Sequence, residues 1–269
     1  MKKEALHYEK NADGSVQCLL CPHKCSIVSG RSGVCRIRKN IDGTLFSLNY
    51  GEVTSIAVDP IEKKPLYHFY PGTDILSAGT FGCNFKCDFC QNWEISQETP
   101  PSQYISPDKL VEIAVQEDSF AVAYTYSEPM VWFEYVLESS KLGKEKGLKN
   151  VLVTNGYINK NPLLELTSVI DAMNIDLKGI KDEFYHNHPK GTLNPVLETI
   201  KTSFEQGVHI EITNLIIPGC NDSREDIEEL VDFVAAVSPD IPMHFSRYFP
   251  HYKMDREPTC LLYTSDAAD

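Results

Sequence analysis

No stretch of this chain approaches the roughly 18 consecutive apolar residues of a membrane-spanning helix. The Met-Lys-Lys-Glu start also lacks the apolar core of a secretory signal. Basic residues are scarce: 25 Lys and Arg stand against 38 Asp and Glu, for a formal charge of −13. That balance argues against a nucleic-acid backbone as partner. It leaves small substrates open, because the charge of a site can oppose the net charge. With neither span nor signal, the expected location is the cytoplasm, where thiols stay reduced. The nine cysteines then suggest no disulfide framework, and seven of them fall in two tight groups, which points to metal or cluster ligation. A length of 269 residues with 42% hydrophobic content suits one large α/β domain with a small appendage.

The central group is short by one cysteine, and the shortage is informative. Residues 82–93 read Gly-Cys-Asn-Phe-Lys-Cys-Asp-Phe-Cys-Gln-Asn-Trp, with Cys83, Cys87 and Cys90 separated by three and then two residues. A loop of that spacing can bring three thiolates to one point. A cubane iron–sulfur cluster normally takes four thiolates, one per iron, so three leave one iron open to a non-protein ligand. The alternatives are a zinc site short of a ligand, or three buried structural thiols. With Phe89 just before its third cysteine, the loop resembles the Cys-x3-Cys-x-aromatic-Cys motif of the radical S-adenosylmethionine (radical SAM) superfamily. The resemblance implies that Cys83, Cys87 and Cys90 hold a [4Fe–4S] cluster whose open iron chelates SAM. Reductive cleavage of SAM would then give methionine and a 5′-deoxyadenosyl radical that abstracts hydrogen. A small electron donor such as flavodoxin or ferredoxin is the implied partner.

The second group has its full complement: Cys18-x2-Cys21-x3-Cys25-x9-Cys35, with His23 inside it. Four thiolates satisfy a tetrahedral zinc or a closed iron–sulfur cluster, spacing does not separate the two, and unligated thiols are the plain alternative. Pro22, Gly30 and Gly33 favour a metal knuckle over a helix. Beyond it, Thr44–Asn49 and Val53–Val58 read as a small β-hairpin or meander. The aromatic, Pro-bounded stretch 59–72 reads as a packed linker, or as a cover for the barrel mouth. The Cys-Pro-His-x-Cys run and the Asp-Pro-Ile-Glu-Lys-Lys-Pro-Leu-Tyr-His stretch resemble one branch of the superfamily. These are the AmmeMemoRadiSam-system radical SAM enzymes, relatives of pyruvate formate-lyase activating enzyme, and the resemblance extends from about residue 15 to 255.

From residue 75, six apolar runs alternate with helical patterns: 75–80, 120–126, 150–154, 172–177, 209–217 and 242–247. This is the rhythm of a parallel sheet with crossover helices. Helices are expected over 107–117, 129–146, 162–168, 195–206 and 223–237, started by Ser or Pro and in two cases stopped by Gly. The resemblance implies the partial (β/α)6 barrel of the radical SAM core. Residues 1–72 would form a Cys-rich extension and 73–258 the barrel. Residues 259–269, Cys260 included, look like a non-native tail.

In parallel α/β folds, ligands sit at the carboxyl ends of strands. The polar motifs fall there. Ser127-Glu128-Pro129 stands where the superfamily carries a Gly-Gly-Glu that holds the SAM ammonium, with Tyr126 and Ser127 in place of the glycines; a carboxylate facing a helix N-terminus would also explain Glu128. Asn155 suits a ribose or carboxylate, or simply a turn before Gly156. Asp176 and Lys178 share one face by period-two alternation and match an Asp-Leu-Lys that touches SAM in relatives; a plain salt bridge is the rival. The 216–222 loop is expected to line the adenine pocket. Arg247 or Tyr248 is expected near ribose or substrate, and Cys220 is expected to be a packed thiol. The substrate implied is a peptide or protein segment, a glycyl-radical enzyme among them, or a small molecule. The rival from another class is an iron–sulfur electron carrier without catalysis.

Overall fold

The computed structural model describes residues 2–258, so the expected tail at 259–269, with Cys260, lies outside the described residues. At its centre is a seven-stranded sheet formed by β1 (Ser55–Pro60), β2 (Asp74–Gly79), β3 (Ala121–Thr125), β4 (Lys149–Thr154), β5 (Ala172–Asp176), β6 (His209–Ile216) and β7 (Met243–Arg247). The strands lie in sequence order. β2 to β7 are parallel to their neighbours, and β1 alone runs antiparallel, against β2. All six expected strands are present. β3, Ala-Val-Ala-Tyr-Thr, is buried at every position, as a parallel strand covered on both faces must be.

Helices fill the crossovers: α1 (Pro107–Gln116), α2 (Phe133–Glu145), α3 (Lys160–Thr167), α4 (Asn194–Glu205) and α5 (Arg224–Val237), with a shorter helix at Asp182–Asn187 before α4. Ser106 caps α1 through Lys109 N–H, and Ser223 caps α5 through Asp226 N–H. The single helix expected over 129–146 is divided into a 3-10 turn, Pro129–Trp132, followed by α2. The Glu128 carboxylate accepts Met130 N–H at 2.9 Å and starts the tight turn, and Gly147 at φ +79° closes the helix.

Thr44–Asn49 and Val53–Val58 do not pair with each other. Thr44–Ser47 forms its hairpin with Arg38–Ile41 around Asp42 and Gly43, both left-handed as a two-residue turn requires. β1, from the second segment, belongs to the core sheet. The loop 61–73 leaves β1 and re-enters β2 at the N-terminal end of the parallel strands. It runs inside the half-barrel, where Ile61 and Leu66 pack against Ala121, Ala123, Val151 and Ala172. Three small alanines on the inner face make room for this loop. Asn174 donates to Pro65 O at 2.9 Å, and the buried Glu211 carboxylate accepts the N–H groups of Tyr67 and His68. The loop therefore floors the barrel.

Gly79 ends β2 where no side chain fits. A Cβ there would lie 2.8 Å from Tyr126 Cδ2 and 2.9 Å from the Thr125 carbonyl oxygen, and the second contact is backbone that cannot rotate away. Gly79→Ala is expected to destabilise the fold by about 1–3 kcal/mol in urea unfolding. An unchanged midpoint would mean that β2 and β3 can separate without cost.

Candidate active site

The C-terminal ends of the strands open into one cavity of about 440 Å³, within the roughly 300–1,000 Å³ of small-molecule sites. Cys83, Cys87, Phe89, Cys90, Ser127, Glu128, Asn155, Asp176, Lys178 and Arg247 all line it. They come from separate loops and strand ends, and only the fold brings them together.

The loop after β2 is held from several directions. Gly82 N–H bonds Ile95 O, Lys86 N–H bonds Pro189 O, and Gln97 donates to Phe85 O. Phe85 is buried against Tyr157 with ring centroids 4.7 Å apart. Anchored this way, the loop turns three unpaired thiols toward the cavity. Burial, with the Glu128 charge nearby, pushes the Cys83 thiol well above its usual pKa. Burial pushes Cys87 up to about 12, against the opposing pull of Lys178. Cys83 Sγ accepts Phe85 N–H at 3.3 Å, and Cys90 Sγ lies 3.1 Å from Ser96 Oγ.

Glu128 is 2% exposed and satisfied on both oxygens: Oε1 accepts Met130 N–H and the Thr154 hydroxyl, at 2.9 and 2.6 Å, and Oε2 accepts Asn155 N–H at 2.8 Å. Burial raises its pKa to about 7 despite those donors. Glu128 caps the turn after β3, as the helix-terminus reading expects, and it also lines the cavity. Tyr126 resolves the missing glycines. It takes the left-handed φ of +70° that glycine favours, and its ring is held by an O–H bond of 2.6 Å to Asp59 and by Lys64 Nζ at 4.8 Å from the ring centroid. The next residue, Ser127, lines the cavity, and its buried hydroxyl has no hydrogen-bond partner in the protein.

Asn155 spends its amide on the cysteine loop. Nδ2 donates to Asn84 Oδ1 at 2.9 Å and to Cys83 Sγ at 3.6 Å, while Oδ1 accepts Tyr157 N–H. Asp176 and Lys178 do share one face, and they form an ion pair of 2.7 Å at the cavity wall. Burial disfavours the Lys178 ammonium, but the neighbouring Asp176 and Cys87 hold its pKa above the ordinary lysine value. At the last strand Arg247 lines the cavity, whereas Tyr248 is buried and donates to Met254 O at 2.6 Å. None of residues 216–222 lines the cavity; Asn221 Nδ2 ties that loop to the backbone carbonyls of Leu215 and Lys178, which do. Lys63 and Pro65 of the floor loop, and Ser96, Thr213 and Ser246, line the cavity beyond the residues that sequence motifs mark. Thr213 and Ser246 follow from alternation along their strands, a signal the sequence carries once strand register is known.

The N-terminal cysteines form a separate cluster. Cys18, Cys21, Cys25 and Cys35 line a second, small cavity, and all four are unpaired. Cys220 lines neither cavity. Among the described residues, no helix is long and apolar enough to cross a membrane.

A parallel half-barrel with three cysteines on the loop after its first parallel strand, and carboxylate, amide and ammonium groups at the following strand ends, defines a cofactor-binding radical enzyme. The chain belongs to the radical SAM superfamily, whose family model matches residues 78–234. An uncharacterized protein of Methanocaldococcus jannaschii is 45% identical over 270 residues, covering 99% of this chain and 80% of that protein. The pyruvate formate-lyase-activating enzyme of Clostridium pasteurianum is 25% identical over 160 residues, covering 57% of this chain and 66% of the enzyme. A structure of TYW1 with a lysine-pyruvate adduct bound aligns with a TM-score of 0.50 at 19% identity, over 74% of this chain and 77% of that one. This last likeness is one of fold. The chain is thus an enzyme of a superfamily that uses a [4Fe–4S] cluster and SAM. The cavity fits such cofactors: three unpaired thiol residues line it, and Ser127 in its wall carries a buried hydroxyl with no partner in the protein.

Proposed function

We propose that Cys83, Cys87 and Cys90 hold the cluster and that the residues around them orient SAM for hydrogen abstraction from an organic substrate, a peptide or protein segment or a small molecule. The bound cofactors would relay an electron from an external donor and supply the carbon radical; the chain supplies position. The observation that carries this reading is convergence: residues from separate strand ends meet on one cavity. Asn155 fixes Cys83 through its amide and through Asn84, which makes it a positioning residue for the loop. Glu128 offers its carboxylate to the SAM ammonium. Ser127 contributes its unused hydroxyl, and the Asp176–Lys178 pair offers one charge of each sign to the nucleoside and carboxylate ends. Arg247 sits at the last strand, toward the substrate side. Phe89 packs near Phe184 and His188 and shields the loop from water.

The relatives include activating enzymes, so a glycine in a glycyl-radical protein is one candidate substrate and an external flavodoxin or ferredoxin the matching electron donor. The carrier reading, in which the loop only stores electrons, calls for a fourth thiolate, and no fourth cysteine lines this cavity among the described residues. The test is anaerobic reconstitution with iron and sulfide, then dithionite and SAM. Formation of 5′-deoxyadenosine is expected; a fully loaded cluster that yields none would sink the proposal.

A pH dependence follows. A carboxylate with its pKa raised by burial favours the folded, unliganded state in its protonated form; that contribution is present below its ordinary value of about 4.5 and is lost as pH rises through about 7. A proton on Glu128 therefore competes with a bound ammonium. SAM affinity is expected to weaken as pH is lowered below 7, by at most about tenfold per unit, and Glu128→Gln should flatten that slope. Titrations on the reconstituted chain from about pH 5.5 to about 7.5, spanning the raised value, would check this. An equal slope in the variant would remove Glu128 from the ammonium site.

A further inference from the structure

Cys18, Cys21, Cys25 and Cys35 enclose a cavity of about 10 Å³ whose remaining walls are apolar apart from His23 and Arg38. Cys25 Sγ accepts the backbone N–H of Val34 at 3.4 Å. An amide aimed at a sulfur favours thiolate charge there. Arg38 is 1% exposed, and its Nε has no hydrogen-bond partner at the wall of this cavity. A buried guanidinium N–H left open beside four thiols points to an anionic group between them.

The spacing of the sulfurs identifies the group. Around one zinc ion, four sulfurs at about 2.3 Å from the metal stand within about 4 Å of one another. Among the described residues, the one set of three His, Cys, Asp or Glu ligand atoms lying within 4.8 Å of one another is His68, Glu211 and His244. No three of the N-terminal sulfurs meet that limit. Neither do Cys83, Cys87 and Cys90, so the two groups share the wider spacing. On a cubane, each thiolate binds a different iron and the sulfurs stand apart by the breadth of the cluster. His23 is not a ligand in this arrangement, since its Nε2 is 2.7 Å from the Asn84 carbonyl oxygen.

We propose that Cys18, Cys21, Cys25 and Cys35 hold a second [4Fe–4S] cluster, closed by four protein thiolates and therefore unable to bind SAM. It would lie beside the radical loop. His23 bonds Asn84, next to Cys83, and Arg36 donates at 2.7 Å to the carbonyl of Ser96, whose hydroxyl contacts Cys90.

The test uses the full chain with Cys83, Cys87 and Cys90 all replaced by alanine, reconstituted anaerobically with iron and sulfide in the presence of equimolar zinc. The variant is expected to keep about four irons and four sulfides, with a paramagnetic resonance signal after reduction that SAM does not change. One zinc per chain without iron, or no metal at all, would overturn the proposal. The wild-type chain gives the answer without any variant: about eight irons supports it, whereas about four irons with one zinc, or with no other metal, overturns it. Failure at the other site looks different. If the wild type carries two clusters and SAM alters the signal of neither, the reading of the radical loop fails while this one stands.

Discussion

Replacing Cys87 by alanine is expected to reduce 5′-deoxyadenosine formation to the level of a no-enzyme control. Cys87 is 8% exposed and stands at the middle of the loop, with its thiol raised to about 12 by burial and turned to the cavity. A thiol in that state is protonated at neutral pH, so it becomes a ligand only where a metal displaces the proton. Two remaining cysteines cannot supply the three ligands that the site offers, and no spare thiol lines the cavity among the described residues. Loss should therefore be total rather than graded, and the same holds for Cys83 and Cys90. Cys220→Ala is the control, expected to retain activity because Cys220 lines neither cavity. Iron analysis beside the activity assay separates lost ligation from lost folding: a variant that keeps its remaining iron while losing deoxyadenosine has lost the radical site alone. Full activity in Cys87→Ala would exclude the loop as the cluster site.

Glu134→Ala is expected to cost about 3–5 kcal/mol of stability in the metal-free chain. Arg38 Nη1 and Glu134 Oε1 form an ion pair of 2.6 Å, with both side chains 1% exposed. The same Glu134 oxygen accepts Leu6 N–H at 3.0 Å. One carboxylate thus fastens the N-terminal segments to the start of α2. Removing it leaves a guanidinium buried without its counter-charge, which costs far more than an exposed pair would. Glu134→Gln keeps the shape and an acceptor oxygen, so it should fall between wild type and the alanine variant. Urea midpoints of the three proteins would check the order. A loss below about 1 kcal/mol in the alanine variant would show that water reaches Arg38.

The barrel is more legible in the sequence than its floor. β2 to β5 are short, largely apolar runs bounded by turn residues, and β6 alternates apolar with polar residues; such patterns need no tertiary information to be recognised, whereas β7, Met-His-Phe-Ser-Arg, is marked mainly by its place in the β–α rhythm. The rule that parallel strands present ligands at their carboxyl ends marks the region, and the resemblance to the radical SAM motifs then singles out Glu128, Asp176 and Lys178 within it, with Asn155 beside them. β1 is harder, because a six-residue alternating segment beside a glycine reads equally well as half of a hairpin; its true partner, β2, is selected by register across the floor loop. Lys63 and Pro65 look like linker because the groups that bring their loop beneath the cavity, Asn174 and Glu211, lie far along the chain, 109 residues from Pro65 in the first case. Tyr126 is a third case. Nothing local announces a left-handed tyrosine, since the bond that compensates it reaches back 67 residues to Asp59.

That floor also constrains the order in which the chain can assemble. The loop 61–73 is among the earlier parts of the chain, yet its hydrogen bonds span 109 residues to Asn174 and 143 or 144 to Glu211. Contacts of such separation cost more closure entropy than pairing of neighbouring strands, so they are expected to form late. β2 to β5 can pair with their neighbours while the loop is still free, but Tyr67 and His68 have no carboxylate to dock on until β6 is in place. The underside of the cavity is therefore expected to be completed after most of its walls, and a chain interrupted before β6 would retain the cysteine loop, β2 and β3 yet lack the Glu211 carboxylate that seats the floor.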